Sequence, residues 1–250
     1  MKDYQKRLFP YAYNILGSYD DAKDAVQDVI TKYHLANKSN IENESNYLIK
    51  SVINQSINIK KRKSKTINSK LTLPEPLSTD NADTNITRKD ILSYSLLVLL
   101  DLLNPKERAV FILKEAFDYS HEDIALSLEI SVENSRKLLS RAKTKLGTQR
   151  ENTKRDSNTN RKQLELYINA IQTGNTKGLE KMLTKDISVM TDGGSISIVA
   201  EHLTGIENTI KLLTYVYNEY QTNTTIKTVF VNHQPALTCH VSSTLFVLRI

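Results

Sequence analysis

The stretch from Asn104 to Leu146 constrains this chain more than any other, because it reads as three short helices with almost no chain between them. Asn104-Pro105-Lys106-Glu107 supplies an N-cap, a proline at the first helical position and an acid at the third, so a helix starts there and covers Ala109 to Ala116. Ser120 with Asp123 opens a second helix carrying Ile124, Ala125 and Leu128, and Ser131 opens a third carrying Leu138, Leu139, Ala142 and Leu146. A break of about three residues between the last two leaves room only for a tight turn, the signature of a helix-turn-helix with 131–146 as its recognition helix. Glu129 stands in that turn, where a left-handed backbone favours glycine, and Ser135 stands where an apolar packing residue is usual.

A helix with cations and polar groups on its exposed face fits a major groove and meets both base edges and phosphates. Glu133, Asn134, Lys137, Ser140 and Arg141, flanked by Ser131 and Arg136, are the residues this spacing offers for that face. The plain alternative is a helical hairpin with a solvated charged surface.

Upstream, Leu8, Ala12, Ile15 and Leu16 share one helical face that Gly17 ends. Ser18 to Asp21 is a capping pattern for a second helix bearing Ala22, Ala25, Val26, Val29, Ile30 and Tyr33. After a polar loop, Ser45 is the expected N-cap of a third, with Leu48, Ile49, Val52, Ile53 and Ile57 inside. Residues 1–65 therefore form a three-helix bundle, and residues 66–90, rich in Ser, Thr, Asn and Asp with two prolines, form a linker. Residues 91–148 hold the helix-turn-helix, 149–160 are a second polar linker, and 161–250 change character. There, helical stretches at Leu164–Gln172, Thr176–Leu183 and Ile206–Tyr217 mix with strand-like segments at 187–190, 196–199, 224–231, 236–241 and 244–250. The fold class expected is multidomain: two all-α domains followed by an α+β domain.

Net charge is +6, and residues 1–150 hold 24 Lys/Arg against 19 Asp/Glu while 151–250 hold 10 against 9. The excess sits in Lys60-Lys61-Arg62-Lys63-Ser64-Lys65 and in 134–150, which has no acid, so two separate phosphate-contacting patches are expected. Cations at the ends of helices also suit the helix dipole, which is the plainer reading of either run alone. No run approaches the ~18 apolar residues of a membrane span, and no signal-peptide core is present, so a cytoplasmic protein without membrane contact is expected. The lone Cys239 and five scattered His show no ligand spacing, and neither metal nor cofactor is expected.

Leu8-Phe-Pro-Tyr-Ala-Tyr-Asn-Ile-Leu-Gly17, Asp21-Ala-Lys-Asp-Ala-Val-Gln-Asp28 and Asn46-Tyr-Leu with Asn54 and Asn58 resemble region 2 of extracytoplasmic-function sigma factors of the sigma-70 family. Leu102-Leu-Asn-Pro-Lys-Glu-Arg-Ala-Val-Phe111, His121-Glu-Asp-Ile-Ala125 and Arg136-Lys-Leu-Leu-Ser-Arg-Ala142 resemble region 4 of the same family, in the right order over about residues 4–146. The resemblance implies a non-enzymatic initiation factor with core RNA polymerase, through its β′ clamp helices and β flap, and promoter DNA as partners. It places Asp24, Gln27 and Asp28 against the clamp helices. It assigns Asn54, Asn58, Lys61 and Arg62, with the loop 38–44, to the −10 element, and the helix-turn-helix to the −35 element. That loop contains no aromatic residue, and Tyr47 stands where the family usually has Trp.

Leu73-Pro-Glu-Pro-Leu77 and Asp192-Gly-Gly194 further resemble the subgroup with a C-terminal SnoaL-like domain, a cone-shaped fold related to nuclear transport factor 2. In that subgroup the domain regulates the sigma core in cis, so a contact between Leu73, Pro74, Glu75 and Pro76 and Asp192, Gly193 and Gly194 is expected. The domain's last strand and tail are expected to be missing after Ile250. Such cones also enclose pockets, so a small-molecule ligand is a further candidate partner. Two rival functions remain: a helix-turn-helix regulator acting without polymerase, and an isomerase-like activity in the third domain with Asp192 as its acid or base. Asp-Gly-Gly also makes a plain turn after a strand.

Overall fold

The computed structural model describes residues 4–37, 39, 41–66, 73–79, 90–147, 157–191, 202–222, 224–241 and 244–248. The chain divides into two compact units: Met1–Asn68 with Asn81–Thr153, and Ser69–Asp80 with Lys154–Ile250.

In the first unit, α1 (Tyr4–Leu16) buries Leu8, Phe9, Ala12 and Ile15. It stops at Gly17, whose φ of 75° lets its N–H turn back to the Tyr13 carbonyl at 2.7 Å. Ser18 caps α2 (Tyr19–Leu35) by accepting from the Asp21 N–H. The third helix, α3, spans Glu44–Thr66, so it begins before Ser45. Asn43 takes the cap instead, its side chain accepting from the Asn46 N–H at 3.0 Å. Glu44 is held in the first turn by the hydroxyls of Tyr4 and Tyr33, and this bond to a carboxylate raises the Tyr33 pKa to about 12. At its far end α3 continues through the basic run, where Lys63 and Lys65 suit the helix C-terminus.

The same unit contains α4 (Tyr94–Leu100), α5 (Pro105–Glu115), α6 (His121–Leu128) and α7 (Val132–Leu146). Asn104 and Glu107 complete the expected capping box on α5. On α7, Leu138, Leu139, Ala142 and Leu146 are buried, each leucine contributing about 1.5–3 kcal/mol of apolar burial. Helices α1–α3 pack directly on the second group. The Tyr11 ring stacks on Phe117 with centroids 4.1 Å apart, and the Asn14 side chain bridges the Asp90 carbonyl and the Leu92 N–H.

In the second unit, α8 (Ser157–Gln172), α9 (Thr176–Met182) and α10 (Ile206–Val216) join two antiparallel sheets. One pairs β1 (Ser188–Met190) with β2 (His202–Thr204); the other runs β3 (Lys227–Val231), β4 (Gln234–Val241), β5 (Thr244–Leu248). Tyr167, Ala170, Ile171, Leu179, Leu213 and Leu237 form its core. α8 starts seven residues before the expected Leu164, because its first two turns are polar and carry no stripe. The expected strand at 196–199 lies outside the described residues, and β2, only three residues long, had no pattern to announce it.

Candidate nucleic-acid interface

The helix-turn-helix is built by short side-chain caps and one unusual backbone angle. Ser120 accepts from the Asp123 N–H at 3.0 Å and Ser131 from the Asn134 N–H at 3.1 Å, which starts α6 and α7 where the sequence places them. Between them Glu129 adopts φ 54°, ψ 50°, the left-handed conformation expected of that position, at a cost of about 1–2 kcal/mol for a residue with a Cβ. Ser135, fully buried, is matched by His121, whose Nδ1 lies 2.8 Å from the serine hydroxyl.

On α7, Ser131, Glu133, Arg136, Lys137, Ser140 and Arg141 are exposed, and Asn134 is half-exposed. Their ion pairs are with acids of the same module: Lys137 with Glu133 at 2.6 Å, Arg136 with Glu122 at 3.7 Å and Arg141 with Glu107 at 3.9 Å. The first two pairs are exposed on both sides and contribute little, so Lys137 and Arg136 can turn to phosphates at small cost. Glu107 is different, being buried. Burial would raise its pKa, but hydrogen bonds from Lys145 and the Asn104 N–H and the nearby Lys145 and Arg141 charges hold it below the usual carboxylate value.

Asp24, Gln27 and Asp28 are all exposed on one face of α2, as three and four residue spacings require. Gln55 of α3 donates to Asp28 at 3.1 Å and steadies it. The residues expected at the −10 element are less uniform. Asn58 and Arg62 are exposed and Lys61 is half-exposed, whereas the Asn54 amide donates to the Ser127 carbonyl of α6 at 3.0 Å. Tyr47 is 38% exposed, its ring centroid 6.0 Å from that of Tyr33. Two positions of the preceding loop, Lys38 and Asn40, lie outside the described residues.

Of three further residues beside this face, Lys50 and Arg108 carried no sequence signal, and Lys60, expected in a phosphate-contacting patch, is instead turned onto partners within the protein. Lys50 pairs with Glu129 at 3.0 Å. Lys60 donates to the Leu16 carbonyl at 3.2 Å and to Asp101 at 2.9 Å. Burial, aided by the Arg108 charge and opposed by Asp101, lowers its pKa to about 8. Arg108 is fully buried, with Nε donating to the Asn14 carbonyl at 3.0 Å and Nη1 bonded to Asp101. A cation inside an apolar helix pattern and the first lysine of a basic run look like surface residues until their partners are placed.

In the second unit, Pro74 is buried, Leu73 and Pro76 are half-buried and Glu75 is exposed. The segment they begin is tied to the β3–β4 turn: Leu77 and Asn232 exchange two 2.9 Å hydrogen bonds, and the Thr79 N–H donates to the Phe230 carbonyl at 2.8 Å. Asn232 and His233 both have positive φ, as a two-residue hairpin turn of this kind demands. Asp192, Gly193 and Gly194 lie outside the described residues. Among the described residues no helix is long and apolar enough to cross a membrane.

Residues 93–146 match the family described as "Sigma-70, region 4". The chain is similar to two proteins of Mycobacterium tuberculosis, from strains CDC 1551 / Oshkosh and ATCC 25618 / H37Rv, each described as "Probable ECF RNA polymerase sigma factor SigI". Each is 25% identical over 192 residues, which is 72% of this chain and 64% of the relative, so the chain spans under two thirds of their length. In fold it matches the crystal structure of the Mycobacterium tuberculosis extracytoplasmic function sigma factor SigJ, with a TM-score of 0.75, 18% identity and coverage of 98% of this chain and 86% of that one.

Proposed function

With the chain thus a homologue of the extracytoplasmic-function sigma factors, we propose that it directs core RNA polymerase to promoters and starts transcription there. The observation that carries this reading is the exposed cationic face of α7 on a capped helix-turn-helix, within the segment that matches region 4. Glu133, Asn134, Arg136 and Lys137 would enter the −35 major groove by their position in the first half of α7, with Ser131, Ser140 and Arg141 on the flanking phosphates. Asp24, Gln27 and Asp28 would meet the polymerase clamp, and Asn54, Asn58, Lys61 and Arg62 the −10 element, amides reading bases and cations holding phosphates.

The second unit is a regulator in cis in this reading, with a SnoaL-like cone as its fold. What supports it is the capture of Leu77–Thr79 by the β3–β4 hairpin, because that segment is the connection between the two promoter-reading modules. Run-off transcription with purified core polymerase and genomic fragments tests the whole. Wild type should initiate, Asp24→Ala/Gln27→Ala should lose initiation at least tenfold, and a wild type that initiates on no fragment sinks the proposal.

A further inference from the structure

The second half of α7 carries a group of charges that the assignments above leave largely unused. Glu107, in the first turn of α5, is 2% exposed, yet its carboxylate reaches two cations of α7. Oε2 accepts from Lys145 Nζ at 2.7 Å and from the Asn104 N–H at 3.2 Å, and Oε1 lies 3.9 Å from Arg141 Nε. The cations keep their tips in water, with 59% of the Arg141 side chain and 43% of that of Lys145 exposed.

A buried acid beneath two exposed cations holds them in a direction, as the pairs of α7 that are exposed on both sides do not. The Glu107 carboxylate is fixed from below by the Asn104 N–H and cannot follow a moving partner. It is also charged: burial opposes ionisation, but the bonds from Lys145 and Asn104 keep its pKa below the usual carboxylate value. One negative charge against two positive leaves an excess cation facing outward. Arg141 turns Nε towards Glu107, which puts its two Nη groups on the far side of the guanidinium, the pair of donors that grips a phosphate bidentately. Lys145 gives the carboxylate one of its three ammonium donors and keeps the others. Residues four apart share a helix face at about 6 Å, so the two tips form a row along the part of α7 that trails behind the groove-entering first half.

We infer that Lys145 is a DNA-phosphate contact in its own right, and that Glu107 is the positioning residue that sets Lys145 and Arg141 as a paired clamp on the backbone beside the −35 groove. The inference rests on the reading of α7 as the −35 helix and extends it to two residues outside those assigned there.

Charge and position predict opposite signs for Glu107. An acid near DNA repels it, so if Glu107 acted by charge alone its removal should tighten binding and steepen the salt dependence. The test uses the full chain and fluorescence anisotropy on a random-sequence duplex and a selected −35 duplex, between about 50 and 200 mM salt. Each phosphate contact contributes about 0.9 to the slope of log affinity against log salt. Lys145→Ala should lower the slope by about 1 on both duplexes, shrinking the loss of affinity over that salt range about 3.5-fold, and Lys145→Arg should keep it. Glu107→Gln, which can still complete the capping box of α5, should lower the slope by about 1–2 and weaken binding to both duplexes about threefold to tenfold, with their ratio unchanged. An unchanged slope in Lys145→Ala, or tighter binding by Glu107→Gln, overturns the inference. So does a Glu107→Gln protein that loses its preference for the −35 duplex, since that is the mark of a helix-turn-helix merely disordered. A chain that shows the expected slopes but transcribes nothing keeps the clamp and loses the sigma reading, whereas unchanged slopes in a chain that transcribes remove the clamp alone.

Discussion

The Nδ1 atom of His121, the first residue of α6, lies 2.8 Å from the hydroxyl of Ser135, which is fully buried on α7. The two helices of the helix-turn-helix are thus joined by a polar contact where apolar packing is usual. Burial, with the Lys114 and Arg136 charges, lowers the histidine pKa. A folded pKa below the unfolded one means that the unfolded chain binds the extra proton. Stability from this site is therefore present above pH ~6.5 and lost as pH falls through the folded value. Urea titrations at pH 7.5 and 5.5 should show wild type losing more stability on acidification than His121→Gln; equal losses would exclude the coupling.

Asp101 neutralises two cations, one of them fully buried. Asp101→Ala should destabilise the first unit by about 2–4 kcal/mol, at the lower side because the carboxylate is a third exposed. Asp101→Leu with Arg108→Met and Lys60→Met should cost less than Asp101→Leu alone, because no charge is left buried without a partner. A chemical-denaturation mutant cycle reads the difference, and additive losses would contradict it.

Lys60 titrates in a range that few other groups share. Its folded pKa of about 8 lies below the ordinary 10.5, so the unfolded chain again holds the proton more tightly. Stability should rise with pH between 8 and 10.5 in wild type relative to Lys60→Met, by about 1–2 kcal/mol after allowance for its partial exposure. Thermal melts of both proteins at pH 7.5 and 9.5 measure this, and parallel shifts would show that the lysine is freely hydrated.

The exposed cations of α7 should behave as phosphate contacts or as base contacts, and salt separates the two. Arg141→Ala is expected to weaken binding to all DNA sequences alike and to lower the slope of log affinity against log salt by about 1. Lys137→Ala and Asn134→Ala are expected to relax sequence preference at individual positions by about 1–3 kcal/mol. Fluorescence anisotropy on selected −35 duplexes across a salt series distinguishes these outcomes.

Asn232 holds the segment between the two helical modules through both its backbone N–H and its side chain. Asn232→Ala removes the acceptor for Leu77 and disfavours a positive φ, so it should cost about 1–3 kcal/mol locally. Amide exchange at Leu77 and Thr79 should accelerate at least tenfold while α5 and α7 keep their protection. Unchanged exchange at Leu77 would show that the side chain is not what secures the segment Leu77–Thr79.

What could be read directly from residues was local. Ser18, Asn104, Ser120 and Ser131 cap their helices as their spacing requires, and Glu129 turns left-handed where the helix-turn-helix needs it. Each of these is settled within about four residues, so the signal and the structure lie side by side in the chain. Where two acceptors competed, as Asn43 and Ser45 did, the choice passed to Tyr4 and Tyr33, which hold Glu44 inside the first turn of α3.

The amino-acid order by itself determined α1, α2, α5, α6 and α7, the caps of the last four, and the exposed faces that carry Asp24, Gln27, Lys137 and Arg141. Tertiary structure alone decided that Asn54 donates to Ser127, that Arg108 lies buried against Asn14, and that Leu77 pairs with Asn232, contacts spanning 73, 94 and 155 residues. A cap or an apolar stripe satisfies itself within one or two turns. A buried cation or an amide finds its partner only when distant helices have packed, because the desolvation that makes the pairing necessary does not exist before they do.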